Sequence, residues 1–157
     1  SKTVVTRIDV PQIYEAHFLR VALESEVCRR LASEGDPGVV TRARSIIRMQ
    51  EAVADDPDQM AIFQELDELF HQTLFVGLNR GGLHQLVRER SGHLERVRRL
   101  HLPEQGKVLN ILAGHRAIVE GIASGDENQA VKAIRDHLSQ TVARVQALRQ
   151  EFPHYFA

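Results

Sequence analysis

Tryptophan is absent from this chain of 157 residues, and aromatic residues together make up only 5% of it. Aliphatic packing must therefore supply most of any core. A single cysteine, Cys28, excludes an internal disulfide and fits a reducing compartment, so a cytoplasmic protein is expected. No apolar run approaches the roughly 18 residues a membrane span needs, and the first residues lack a secretory signal pattern. No membrane partner is expected. A large excess of either charge is lacking too. The formal net charge is −1 with histidine neutral, which argues against this chain gripping nucleic acid by itself.

What is present is an ordinary globular balance, with 43% hydrophobic and 26% charged residues. The length suits one domain with a substantial core. Charge is unevenly spread, however. From Arg80 to His101 there are six arginines against Glu89 and Glu95 alone, with His84, His93 and His101 among them. Such a stretch is either a solvated helix face or a surface that favours a small anion.

Punctuation divides the chain into six helical segments. Asp9, followed by Pro11 and Gln12, has the form of an N-cap and an early helical proline, and that helix should run to about Ser33 with Gly35 as its stop. Asp36-Pro37 opens a second helix to about Asp55, and Asp56-Pro57 a third to about Leu78. A fourth covers about Leu83 to His101, a fifth about Gln105 to Ser124, and a sixth runs from the Asp126 cap to about Glu151. Apolar residues recur three and four apart, as in Ile111, Leu112, Ile118, Val119 and Ile122, rather than at alternate positions. The expected fold is an all-α antiparallel bundle of six to seven helices joined by short connections.

Four ionisable residues stand where these apolar stripes ask for something greasy: Asp67, His71, His115 and His137. A buried carboxylate without a partner is costly, so something should compensate it. Asp67 and His71 are four apart and project from one helix face. His115 lies ten residues before Gly125, and His137 eleven after Asp126. At 1.5 Å per residue both are about 15–16 Å from the same hairpin, so antiparallel packing sets the two imidazoles at one level. Taken singly, each histidine reads as a hydrogen-bonded core residue. Taken together, the four read as ligands of one divalent metal ion. Three imidazoles and a carboxylate suit Zn, Ni, Mn or Fe better than Ca or Mg. A tetrahedral ion would be closed by four ligands and an octahedral one would keep two positions open; the residues leave both in play.

The same residues carry a family resemblance. Leu66-Asp-Glu-Leu-Phe-His71, the stretch His115 to Asp126 with Gly-Asp in the turn, and His137-Leu138 resemble the FCD domain of GntR-type transcription regulators, the branch named for FadR. Arg20-Val-Ala-Leu-Glu24 is similar to that family's first-helix signature. The resemblance implies that Asp67, His71, His115 and His137 are the metal ligands. It also implies that Arg20 faces the cavity and receives an effector carboxylate, whose two oxygens match the guanidinium fork. Without it, Arg20 reads as a surface residue or an i,i+4 partner of Glu24. Arg90, His93 and Arg98 are further effector candidates, on the sole ground that they lie in the basic fourth helix.

The expected function is therefore an effector-sensing, homodimerising domain over residues 9–152, binding a small organic acid. Residues 1–8 would follow a DNA-binding winged helix-turn-helix that this sequence does not contain, so DNA would be a partner only through that domain. No catalytic residue is expected. A metal-dependent hydrolase would need Glu68 or Glu120 as a base, and both spacings read more simply as solvent-facing. A purely structural dimerisation module is the other alternative.

Overall fold

The structure, a computed structural model, describes residues 6–157, so most of the expected segment 1–8 lies outside the described residues. Among the described residues the chain forms α1 (Val10–Glu34), α2 (Pro37–Val53), α3 (Met60–Gly77), α4 (Gly81–Arg90) and α5 (Gly92–His101). These are followed by α6 (Lys107–Ser124), α7 (Glu127–Val142) and α8 (Val145–Glu151), with single 3-10 turns at Pro57–Gln59 and Pro153–Tyr155. The all-α bundle expected from the periodicity is what the structure shows.

The helix starts follow from their caps. Asp9 accepts from the Gln12 amide, Asp36 from Gly38 and Asp126 from Gln129, each satisfying an N–H that has no partner within the helix. Asp56 caps a 3-10 turn instead, and α3 begins only at Met60.

Two expected helices are interrupted. The fourth breaks at Ser91, whose buried hydroxyl donates to the Val87 carbonyl at 2.5 Å, offering the backbone a local alternative to the helical ladder just before Gly92. The sixth breaks at Ala143-Arg144, where Arg144 turns to pair with Glu104 at 2.7 Å. The short α8 beyond it packs on α5.

The α6–α7 hairpin does most to position the site. Gly125 sits at φ 75°, a left-handed conformation that glycine adopts without steric cost, and reverses the chain. Gly121 then lets the helices close, since a Cβ there would stand 2.7 Å from Ala130 Cα.

The main core joins α1, α2, α3, α6 and α7 around Phe63, Phe70, Phe75, Ile118 and Ile134, all fully buried. Burying a side chain of this size contributes about 1.5–3 kcal/mol. A smaller cluster of Ile8, Ile13, Leu94, Val97, Val145, Leu148 and Phe156 ties α1, α5 and α8 to both ends of the described chain. There Ile8 N–H donates to the Tyr155 carbonyl at 2.8 Å. No described helix is long and apolar enough to cross a membrane.

Candidate metal centre and ligand cavity

α3 carries Asp67 and His71 on one face, α6 carries His115 and α7 carries His137; all four are buried. The hairpin register places the last two side by side, with ring centroids 4.7 Å apart. One ligand atom from each of the four lies within 4.8 Å of every other.

Their partners decide which atoms face inward. Gln50 Nε2 reaches the Phe63 carbonyl at 3.4 Å, which turns Gln50 Oε1 toward His115 Nδ1 at 2.8 Å. A carbonyl oxygen only accepts, so His115 carries its proton on Nδ1 and presents a lone pair on Nε2. Glu24 Oε1 imposes the same tautomer on His71 by accepting from its Nδ1. Glu24 is ionised. Burial alone would raise its carboxyl, but Arg20, paired at 2.8 Å, and His71 hold it far below the usual carboxylate range. Phe70 stacks on His115 with centroids 3.9 Å apart and the rings 10° from parallel, fixing the imidazole plane.

Asp67 Oδ1, His71 Nε2, His115 Nε2 and His137 Nδ1 are buried without a hydrogen-bond partner, the first three as acceptors. Two of these acceptors, His115 Nε2 and Asp67 Oδ1, stand only 3.0 Å apart. Lone pairs converging at that range are mutually repulsive unless a proton or a cation lies between them. Burial lowers the pKa of His115, and burial with its neighbours His115 and His71 lowers that of His137 much further, so neither ring is readily protonated. The donor set fits a divalent transition-metal ion. The outward hydrogen bonds to Glu24 and Gln50 are the kind that orient imidazole ligands.

The other oxygen of Asp67, Oδ2, is held by Arg98 from α5, whose guanidinium also meets Glu95 at 2.6 Å and Glu68 at 3.4 Å. Burial alone would raise the Asp67 carboxyl; Arg98 reverses this and holds it well below its ordinary value. Beside the four residues opens a cavity that Arg20, Asp67, Arg98, Lys107, His137 and Thr141 help to line.

Residues 12–140 match the model of the FCD domain family. This chain belongs to the FCD domain family. It is 34% identical over 153 residues to an HTH-type transcriptional regulator from an unstable DNA locus of Streptomyces ambofaciens, covering 98% of this chain and 64% of that protein. It is 25% identical over 153 residues, 98% of this chain, to the HTH-type transcriptional repressor RspR of Escherichia coli K12 and to the regulator YdfH of Shigella flexneri, covering 67% of each. The chain therefore spans about two thirds of the length of the curated relatives it matches.

Within this FCD domain the structure separates the four effector candidates. Arg20 and Arg98 border the cavity beside Asp67 and His137. Arg90 and His93 do not. They line a different groove, between α1 and the α4–α5 junction, where Arg90 is exposed and His93 Nδ1 accepts from the Asp9 amide at 3.0 Å. The two glutamates also differ from each other. Glu120 is exposed as expected and pairs with Arg44 at 3.1 Å. Glu68 is not solvent-facing; it is partly buried against Arg98 and His84, with its carboxyl held down at about 2.

Sequence reasoning missed Gln50, Lys107 and Gly114. A Cβ on Gly114 would stand 2.4 Å from His137 Nδ1, so α6 must be bare at that point for the ring to lie where it does. The Gly114→Ala variant sets two effects against each other. Alanine favours the helix by about 1 kcal/mol, whereas overpacking costs about 1–3 kcal/mol and displaces the imidazole. The expected net result is a lower urea midpoint together with a shifted His137 ring resonance. An unchanged resonance would mean the hairpin opens freely.

Proposed function

We propose that this FCD domain is the effector-sensing and dimerisation unit, spanning residues 9–152, of a GntR-type bacterial transcription regulator. Asp67, His71, His115 and His137 would hold one divalent ion, Zn, Ni, Mn or Fe. A small organic acid would bind beside it, with Arg20 bordering the same cavity. When bound, the ion supplies a positive centre for a carboxylate oxygen. The observation that carries this reading is the set of four buried side-chain atoms within 4.8 Å of one another that have no hydrogen-bond partner. DNA recognition would belong to a winged helix-turn-helix in the parent protein, as the HTH-type names of the relatives suggest.

Arg20 supports the acid-binding half of the reading. Its Nε is paired with Glu24, which leaves the two terminal nitrogens of the guanidinium free of ion pairs within the described chain. Homodimerisation is supported by the exposed apolar side chains Tyr14 and Phe18 on α1, the latter 77% exposed. An acid would alter DNA binding only by its unequal affinity for two arrangements of such a dimer.

Calorimetric titration of zinc-loaded protein with short carboxylic acids tests the proposal. Binding is expected in the loaded protein and is expected to weaken at least about tenfold, or 1.4 kcal/mol, after chelation. Equal affinity in both states would overturn metal-assisted binding. Turnover of esters or amides by the loaded protein would favour a hydrolase instead.

A further inference from the structure

Lys107 is a cation at the cavity that the reading above leaves unused. It is the first residue of α6, it is 7% exposed, and it lines the same cavity as Asp67 and His137. Among the described residues no carboxylate pairs with it; its polar contact is Gln140 Oε1 at 3.4 Å. Glu104, the nearest acid in sequence, is already held by Arg144 at 2.7 Å and His101 at 3.2 Å. Burial, with Arg98 nearby, pushes the Lys107 ammonium down to about 8.

The position compounds the cost of that burial. A helix N-terminus bears a partial positive charge and favours an acidic residue or a capping side chain. α6 has neither: Gly106 provides no side-chain cap, the first turn holds no acid, and a lysine occupies the first position. Two positive features are stacked against one cavity wall, and the first turn of α6 holds no acid to meet them.

We infer that the effector carries two anionic groups, one placed at the metal centre and Arg20, the other held by Lys107 and the first turn of α6. This rests on the carboxylate reading of the site. Charge matching supports it. Of the cavity's cations, Arg20 is matched by Glu24 at 2.8 Å and Arg98 by Asp67 and Glu95, whereas Lys107 has no carboxylate partner among the described residues. A divalent ion at the four residues would take one anionic group beside Arg20, and Lys107 calls for a second. A monoanion would leave one buried positive charge unmatched, whereas a small dicarboxylate neutralises both.

Succinate and butyrate share a four-carbon chain and differ in the second carboxylate, so their affinities for the zinc-loaded protein isolate this contact. Succinate is expected to bind at least about tenfold more tightly. Lys107→Met should bring succinate down to the butyrate level and leave butyrate within about twofold, while Lys107→Arg should retain most of the preference. Equal affinities in the parent protein, or an equal loss of both acids in Lys107→Met, would overturn the role of Lys107 and leave carboxylate binding standing. Failure of both acids to bind the parent protein would overturn both readings.

Discussion

Saturating zinc is expected to raise the melting temperature of the protein by roughly 10 °C over the chelator-treated form. The size follows from linkage. A ligand present at about a thousand times its dissociation constant stabilises the folded state by about 4 kcal/mol. A domain of this length gains about 2–4 °C per kcal/mol. The shift has a structural cause in the convergence of Asp67 Oδ1 with His71 Nε2, His115 Nε2 and His137 Nδ1. Without an ion these buried atoms have no hydrogen-bond partner; with one, each gains a partner.

His115→Ala separates this account from nonspecific binding. The ring is fully buried, stacked on Phe70 and fixed by Gln50, so its loss leaves both a void and an unpaired Gln50 Oε1. The variant should lose about 1–3 kcal/mol without metal and, with three ligands left, most of the zinc-induced shift. Calorimetric scans with zinc, nickel, manganese and ferrous iron make the measurement. Superimposable scans for loaded and stripped parent protein would remove the metal centre.

Much of this centre is legible before any coordinates, and the reason is local. The helix hairpin has a fixed rise per residue, and one short turn between α6 and α7 ties His115 and His137 to a common origin, so counting from Gly125 and Asp126 sets their levels. Asp67 and His71 need only the helical repeat. The fold is legible for similar reasons, because Asp9, Asp36 and Asp126 cap the helices they precede.

What stayed hidden depends on long-range packing. Gln50 and Glu24 meet His115 and His71 across 65 and 47 residues of sequence, and neither has any local mark of a ligand-orienting role. Lys107 looks like an ordinary helix-end lysine until the cavity beside it is known. Arg90, His93 and Arg98 share one basic stretch of sequence but not one continuous helix. The break at Ser91 gives α4 and α5 separate axes, so charge density along the chain carried no information about which way each side chain faced. A serine directly after Arg90 and just before Gly92 is the signal that could have placed that break.

Arg98→Met should be among the most damaging single changes outside the four clustered residues. Arg98 is what keeps Asp67 ionised in the core, and its guanidinium also lies against Glu68 and Glu95. Removing it leaves a buried carboxylate with no cation, an imbalance that costs about 3–5 kcal/mol. The pH dependence has a definite sign. Asp67 has a folded-state pKa below its unfolded value, so its ion pair contributes stability that is present above about pH 4 and is lost as pH falls toward the folded value. The gap between parent and Arg98→Met in urea unfolding should therefore be widest near neutrality and narrow in acid, where protonating Asp67 relieves the variant. Zinc should narrow it as well, because an ion at Oδ1 neutralises the same carboxylate from its other side. A variant as stable as the parent at pH 7, or a gap that widens in acid, would show that Asp67 is compensated by something other than Arg98.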